Sequence, residues 1–161
     1  LWPELDVRLV SVSDHWAQYA VAGPRSRDVL AKLVDAPFDI SNEGFPRMGA
    51  GELTICGGVP ARLFRVSFSG EMAYEIAVPA RYGDAAIRAL MQVGAEFDIT
   101  PYGTEALNVL RIEKGHVGGA EINGQTTARD LGLGGMVTAD KDCIGKVLAQ
   151  RPALLDPTIT R

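Results

Sequence analysis

Arg111 is the first side chain whose position suggests chemistry, because it lies at the edge of an apolar helix face. On a helical wheel of about 100° per residue, Ala106, Val109 and Leu110 form an apolar arc with Leu107 at its border. Arg111 falls just beyond Leu107, so its guanidinium can extend from the core edge into the space that the helix faces. An arginine there can bind a carboxylate through paired N–H groups.

Glu113 gives this arginine a simpler alternative role. It falls inside the same apolar arc, and a carboxylate among apolar groups needs a partner, for which arginine is the usual one. Spacing alone favours a local role, in which Arg111 pairs close by and Glu113 lies in the last turn before Gly115.

The segment that carries Arg111 has the signals of a capped helix. Residues 101–103 end the preceding connector with the sequence Pro-Tyr-Gly, and Thr104 can cap the first turn by accepting a backbone N–H. We therefore predict a helix from Thr104 to the turn before Gly115.

Glu75 is the second candidate, and its setting is a strand. The large apolar side chains of residues 73–78 all fall on one face: Tyr74, Ile76 and Val78. Glu75 falls on the opposite face between Ala73 and Ala77. The small neighbours leave space above the carboxylate.

The elements around these residues predict an α+β fold. Three strand candidates separated by short turns indicate an antiparallel meander: 52–56, 61–68 and 73–78. Helical spacing predicts helices over residues 25–34 and 82–95, and residues 7–12 and 16–22 are predicted to pair as a hairpin. A meander with helices packed on one face forms one α+β layer.

The composition excludes several classes of function. The chain has 161 residues, of which 47% are hydrophobic, so it can bury a core. Its net charge of -4 argues against sequence-independent binding of nucleic acid, which needs a basic surface. No run approaches the ~20 apolar residues of a membrane helix, so we expect no membrane contact and a cytoplasmic location.

Other residues with catalytic or metal-binding potential lack the spacing that such sites need. Cys56 and Cys143 are far apart and are predicted to be two buried, reduced thiols. His15 and His116 have no partners at zinc-ligand spacing, so no metal site is predicted. Ser69 lacks the surroundings of a hydrolase nucleophile. The glycines of residues 130–135 do not have the spacing of a dinucleotide-binding fingerprint. We therefore assign no catalytic residue.

Several segments together resemble the folate-binding aminomethyltransferase domains of the glycine-cleavage T-protein type. The motifs occur in the family's order and cover nearly the whole chain: residues 16–27, 65–75, 100–115, 130–134 and 142–146. Within that family the chain most resembles the carboxy-terminal part of the alpha subunits of heterotetrameric sarcosine oxidases.

The resemblance implies a tetrahydrofolate site built from three residues of this chain. By motif position, Glu75 hydrogen-bonds the pterin ring and Arg111 lies nearby. A carboxylate can accept paired N–H bonds from a flat aminopyrimidine edge, and the two alanines beside Glu75 leave room for the ring. Phe68 stands where the T-protein motif has tyrosine, so it can pack on a ring but cannot donate a hydroxyl.

The resemblance also implies a reaction. Oxidised sarcosine provides a one-carbon unit, which tetrahydrofolate takes up as 5,10-methylenetetrahydrofolate. FAD, FMN and NAD are expected elsewhere in the parent complex, and the expected partners are other domains of the alpha subunit and the other subunits. Two alternatives stay open: a non-catalytic structural or docking module, and an aminomethyltransferase of the glycine-cleavage type.

We expect the chain to be part of a larger domain. It starts at Leu1 without a methionine and stops soon after Pro157, and the family's catalytic aspartate and carboxy-terminal lobe have no counterpart in it. We predict a partial folate-binding domain at 1–161, truncated at both ends and inactive in isolation. A first α+β lobe is expected over about 1–98, followed by a helix and a glycine-rich segment over about 99–157.

Overall fold

The computed structural model describes residues 3–138 and 140–155. The chain divides after Lys114 into two compact units. The glycine-rich segment predicted to end at residue 157 extends beyond the described residues at its last two positions. Five α-helices lie in the described residues: α1 (Ser26–Ala31), α2 (Gly83–Gly94), α3 (Thr104–Lys114), α4 (Ile144–Leu148) and α5 (Pro152–Leu155). The first three belong to the first unit and the last two to the second.

A four-stranded antiparallel sheet organises the first unit. Its strands are β1 (Trp16–Ala22), β2 (Ala50–Ile55), β3 (Val59–Phe64) and β4 (Ala73–Pro79). The spatial order is β1-β4-β3-β2, so β2, β3 and β4 form a meander and β1 is added beside β4 as an edge strand. The predicted α+β fold with an antiparallel meander is confirmed.

The predicted hairpin between residues 7–12 and 16–22 is wrong. Residues 7–12 form no strand, Ser13–His15 is a short 3₁₀-helix, and β1 pairs along its whole length with β4. The segment before β1 is exposed, with Leu9 93% and Val10 83% accessible. The loose alternation of residues 7–12 resembles a strand, but the core that would bury its apolar side chains lies elsewhere.

The hydrophobic core lies on one face of the sheet. Tyr74, Ile76 and Val78 are fully buried there, as the alternation in β4 predicts. Helices α1 and α2 cover this face, with Leu30 and Leu90 in the same core cluster. Burying each of these large apolar side chains stabilises the fold by about 1.5–3 kcal/mol. Glu75 lies on the opposite face of the sheet.

Gly83 lets α2 approach β1 closely. A Cβ atom at Gly83 would lie 2.7 Å from the Cβ of Ala17 on β1, which is closer than carbon atoms pack. The Tyr19 hydroxyl donates a hydrogen bond to the Gly83 carbonyl over 2.9 Å. These contacts hold the edge strand against the helix.

Both cysteines are free thiols, but the prediction that they are buried is wrong. Cys56 is exposed because it begins the turn between β2 and β3, where its φ of 53° takes it out of the sheet. Cys143 is exposed immediately before α4. Among the described residues, no helix has the length and apolar character required to cross a membrane.

Candidate ligand-binding site

Glu75 lies in the middle of β4 on the sheet face opposite the core. Its neighbours across the sheet are Ala20 on β1 and Phe64 on β3. Along the strand it is flanked by Ala73 and Ala77, both buried, and Glu75 itself is half-buried. The carboxylate therefore stands above a surface of small side chains, as the sequence predicts.

The carboxylate of Glu75 is held by Gln18. The side-chain amide nitrogen of Gln18 donates a hydrogen bond to Glu75 Oε2, with an N···O distance of 2.5 Å. In the β1–β4 register Gln18 lies opposite Ala77, so it reaches Glu75 diagonally on the same face. The other carboxylate oxygen, Oε1, accepts no hydrogen bond from any residue in the described parts of the chain.

A groove of about 330 Å³ lies on this face beside Gln18, and we call it the face groove. Trp16, Phe64 and Ala77 contribute apolar lining, and Arg62 completes it. The Arg62 guanidinium lies over the Trp16 ring at 4.3 Å from its centroid and also contacts Glu52 at 3.2 Å. The groove combines flat apolar surfaces with a charged rim.

A second cavity of about 420 Å³, the edge cavity, lies at the free edge of β1. Its lining comes from residues 18–22 of β1, from Ile87, Leu90 and Met91 of α2, and from residues 99–104 and Leu107. Gln18 lines both cavities. The residue that donates to Glu75 therefore borders both cavities.

Arg111 is buried, with 7% of its surface accessible, and its Nε donates to Asn108 Oδ1 over 3.3 Å. The predicted apolar arc of α3 is wrong, because Val109 is 57% accessible and Ala106 is exposed. The buried side of the helix is instead rotated toward Leu107, so that Leu107 and Leu110 are half-buried and Arg111 is buried. Leu107 lines the edge cavity, and Arg111 follows it one turn later on the same side.

Glu113 is exposed, so its carboxylate does not need the partner that a buried position in an apolar arc would require. The Asn108 contact of Arg111 stays within α3. The local role that spacing favoured therefore describes part of the hydrogen bonding of Arg111, namely its contact with the side-chain amide of Asn108.

The loop that carries Phe68 packs against the end of α3. Gly70, two residues later, adopts a φ of 91°, and a Cβ atom there would lie 2.7 Å from Lys114 Cγ. Phe68 is 39% accessible. The structure thus places the Phe68 loop beside the last turn of α3, but among the described residues no ion pair joins Glu75 to Arg111.

Sequence reasoning missed Gln18, Trp16 and Phe64. All three reach the Glu75 face only because β1 and β3 flank β4 in register. The pairing of β3 follows from the meander, so Phe64 could have been assigned from the alternation of its strand. The pairing of β1 with β4 joins residues 57 positions apart, and no local signal predicts it.

Comparison with known proteins decides the family. The GCVT N-terminal domain matches residues 2–141 of this chain. The chain belongs to the GCVT N-terminal domain family. This GCVT domain is 54% identical over 159 residues to sarcosine oxidase subunit alpha of Rhizobium meliloti (strain 1021), covering 98% of this chain and 16% of that protein.

Two further relatives are similar to this GCVT domain over most of its length. Sarcosine oxidase subunit alpha of Corynebacterium sp. (strain P-1) is 48% identical over 146 residues, covering 90% of this chain and 15% of that subunit. Aminomethyltransferase of Chloroherpeton thalassium (strain ATCC 35110 / GB-78) is 32% identical over 146 residues, covering 89% of this chain and 39% of that enzyme. The chain spans about a sixth of the length of the sarcosine oxidase subunits that it matches.

Proposed function

We propose that this chain is the tetrahydrofolate-binding part of a sarcosine oxidase alpha subunit, and that residues 1–161 form part of a larger folate-binding domain. The observation that carries the proposal is the carboxylate of Glu75, half-buried between two alanines on the sheet face opposite the core and near the face groove. The 54% identity to a sarcosine oxidase alpha subunit over nearly the whole chain supports the choice of parent protein.

The residues present fit the aminopyrimidine edge of a reduced folate. That edge presents two N–H donors side by side, and a carboxylate can accept both. Oε1 of Glu75 carries no hydrogen bond from the described residues, and the small side chains of Ala73 and Ala77 flank it along the strand. The ring of Phe64, opposite Glu75 in the sheet, offers a flat apolar surface in the neighbouring groove. Trp16 lines the same groove with the Arg62 guanidinium over its ring.

Arg111 and Phe68 complete the proposed site. The buried guanidinium of Arg111 is oriented by Asn108, and a fixed positive charge can bind a polar or anionic group of the ligand. Phe68 contributes ring surface from the loop that packs on α3. In this proposal Glu75 orients the ring, and Arg111 and Phe68 support it from the helix side.

Tetrahydrofolate supplies the two nitrogens that accept a one-carbon unit, giving 5,10-methylenetetrahydrofolate. The unit comes from sarcosine oxidised at a flavin in another part of the complex, where FAD, FMN and NAD are bound. This chain's residues bind and orient the acceptor. A glycine-cleavage aminomethyltransferase would use the same site with a different one-carbon donor, and the 32% identity to an aminomethyltransferase supports that alternative.

Isothermal titration calorimetry with tetrahydrofolate tests the proposal. Both the 161-residue chain and a version extended at both ends are titrated, together with Glu75→Ala and Arg111→Ala variants of each. A hydrogen bond to a charged group is worth about 1.5–3 kcal/mol, so we expect Glu75→Ala to weaken binding by roughly 10- to 100-fold. Binding by the extended version that both substitutions leave unchanged would refute the site.

A docking module is the second candidate function, and the exposed apolar side chains favour it. Leu9 and Val10 before β1 are more than four-fifths accessible, and Val109 and Ile112 are exposed on α3. Apolar groups exposed in this way are typical of surfaces that contact other domains. If neither version binds folate, the docking function is the better account. A truncated domain should expose apolar surface, so we also expect self-association of the 161-residue chain in light scattering, and a monomer at high concentration would count against truncation.

A further inference from the structure

We propose that Gln18 is a positioning residue for the ligand: it fixes the plane of the Glu75 carboxylate so that Oε1 is presented to the N–H donors of the bound ring. The inference rests on the proposed function of Glu75 and extends it to a residue on a different strand. Its basis is the 2.5 Å hydrogen bond from the Gln18 amide nitrogen to Glu75 Oε2.

The direction of this hydrogen bond follows from its chemistry. An ionised carboxylate can only accept, so the group of Gln18 that faces Glu75 must be the amide nitrogen and not the carbonyl oxygen. The last torsion of a glutamate side chain is broad and does not by itself hold the carboxylate in one plane. A donor fixed to one oxygen removes that freedom and leaves the other oxygen for the ligand.

The location of Gln18 supports a role beyond packing. Its side chain is exposed, so it contributes little to the core, and it lines both the face groove and the edge cavity. A ligand that enters either cavity meets Gln18, which is hydrogen-bonded to Glu75. The pairing of β1 with β4 along its whole length sets the register that places Gln18 within reach of Glu75. The Tyr19 hydroxyl also attaches β1 to Gly83 of α2.

The test compares two substitutions that change this hydrogen bond at nearly constant side-chain length. Gln18→Met removes the donor, and Gln18→Glu replaces it with a second acceptor beside Glu75. Tetrahydrofolate affinity is measured by calorimetry on the extended version of the chain. We expect about a 10-fold loss of affinity for Gln18→Met and a larger loss for Gln18→Glu. Gln92→Met, at an exposed glutamine on α2, is the matched control and should bind as the unsubstituted chain does.

A thermodynamic cycle separates positioning from a structural role. In a Glu75→Gln background, Gln18→Met should cause less than a 2-fold further change, because the carboxylate that Gln18 orients is gone. The Gln18→Met variant should also discriminate less than the unsubstituted protein does between tetrahydrofolate and an analogue that lacks the 2-amino group. If Gln18→Met weakened tetrahydrofolate binding equally with and without Glu75→Gln, the role of Gln18 would be overturned. The same follows if Gln18→Met caused no loss while Glu75→Gln still weakened binding. Either result would leave the proposed function of Glu75 standing. If the extended version without substitutions did not bind tetrahydrofolate, the proposed function would be overturned, and this inference with it.

Discussion

Replacing Gly83 by alanine tests the contact that holds the edge strand β1 in place. The added methyl would lie 2.7 Å from the Cβ of Ala17, whereas carbon atoms pack at about 3.5–4.0 Å. The helix or the strand must therefore move by about 1 Å, and overpacking of this kind costs about 1–3 kcal/mol. The better helix propensity of alanine offsets at most about 1 kcal/mol of that cost.

A double substitution isolates this contact. Ala17→Gly alone should cost about 0.5–1 kcal/mol, because glycine in a strand loses more entropy on folding. Combined with Gly83→Ala, it removes the methyl group that is crowded, so the two changes should couple favourably by about 1–3 kcal/mol. Urea denaturation followed by circular dichroism measures the free energy of unfolding of all four chains. Additive effects, or a Gly83→Ala chain more stable than the original, would refute the close approach of α2 and β1.

Two further predictions concern the core and a turn. Leu63→Ala should lower the free energy of unfolding by about 3 kcal/mol in urea denaturation, because Leu63 is fully buried. Leu9→Ala, at an exposed leucine, should change it by less than about 0.5 kcal/mol. Equal effects of the two substitutions would contradict the assigned core. Asp35 accepts N–H bonds from Gly57 and Gly58. The Gly57 bond, followed by a hydrogen bond with the Thr54 side chain and the Gly58 bond, holds the pKa of the Asp35 carboxyl below the usual 3.8. The stabilising contribution of the Asp35 carboxylate is therefore complete above about pH 4 and is lost as the pH falls through the lowered pKa. The difference in free energy of unfolding between the unsubstituted chain and the Asp35→Asn variant should shrink in acid. A difference independent of pH would contradict this role of Asp35.

The sequence predicts those features that depend on neighbouring residues. The alternation in β4 assigns Tyr74, Ile76 and Val78 to the core and Glu75 to the other face, and the short turns assign the meander. Both follow from a period of two and from turns of a few residues. The family follows from motifs whose order is visible in the chain.

The features that the sequence did not predict depend on distant contacts. Strand β1 pairs with β4 and not with residues 7–12, because its apolar side chains share the core with Ile76. In α3 the inward side carries Arg111, and a hydrophobic wheel assumes that the apolar side is buried. Which side of a helix points inward depends on the elements that the helix packs against. Local periodicity does not contain that information, so it could not predict that Arg111 is buried.

Glu75 is proposed to bind the ring of tetrahydrofolate. The most direct measurement is the calorimetric affinity for tetrahydrofolate of the extended chain with Glu75→Gln, compared with Glu71→Gln. Glu71 is an exposed glutamate four residues earlier and serves as the control for loss of one negative charge. We predict a loss of at least about 10-fold for Glu75→Gln and less than 2-fold for Glu71→Gln. Equal affinities of the two variants would contradict the account.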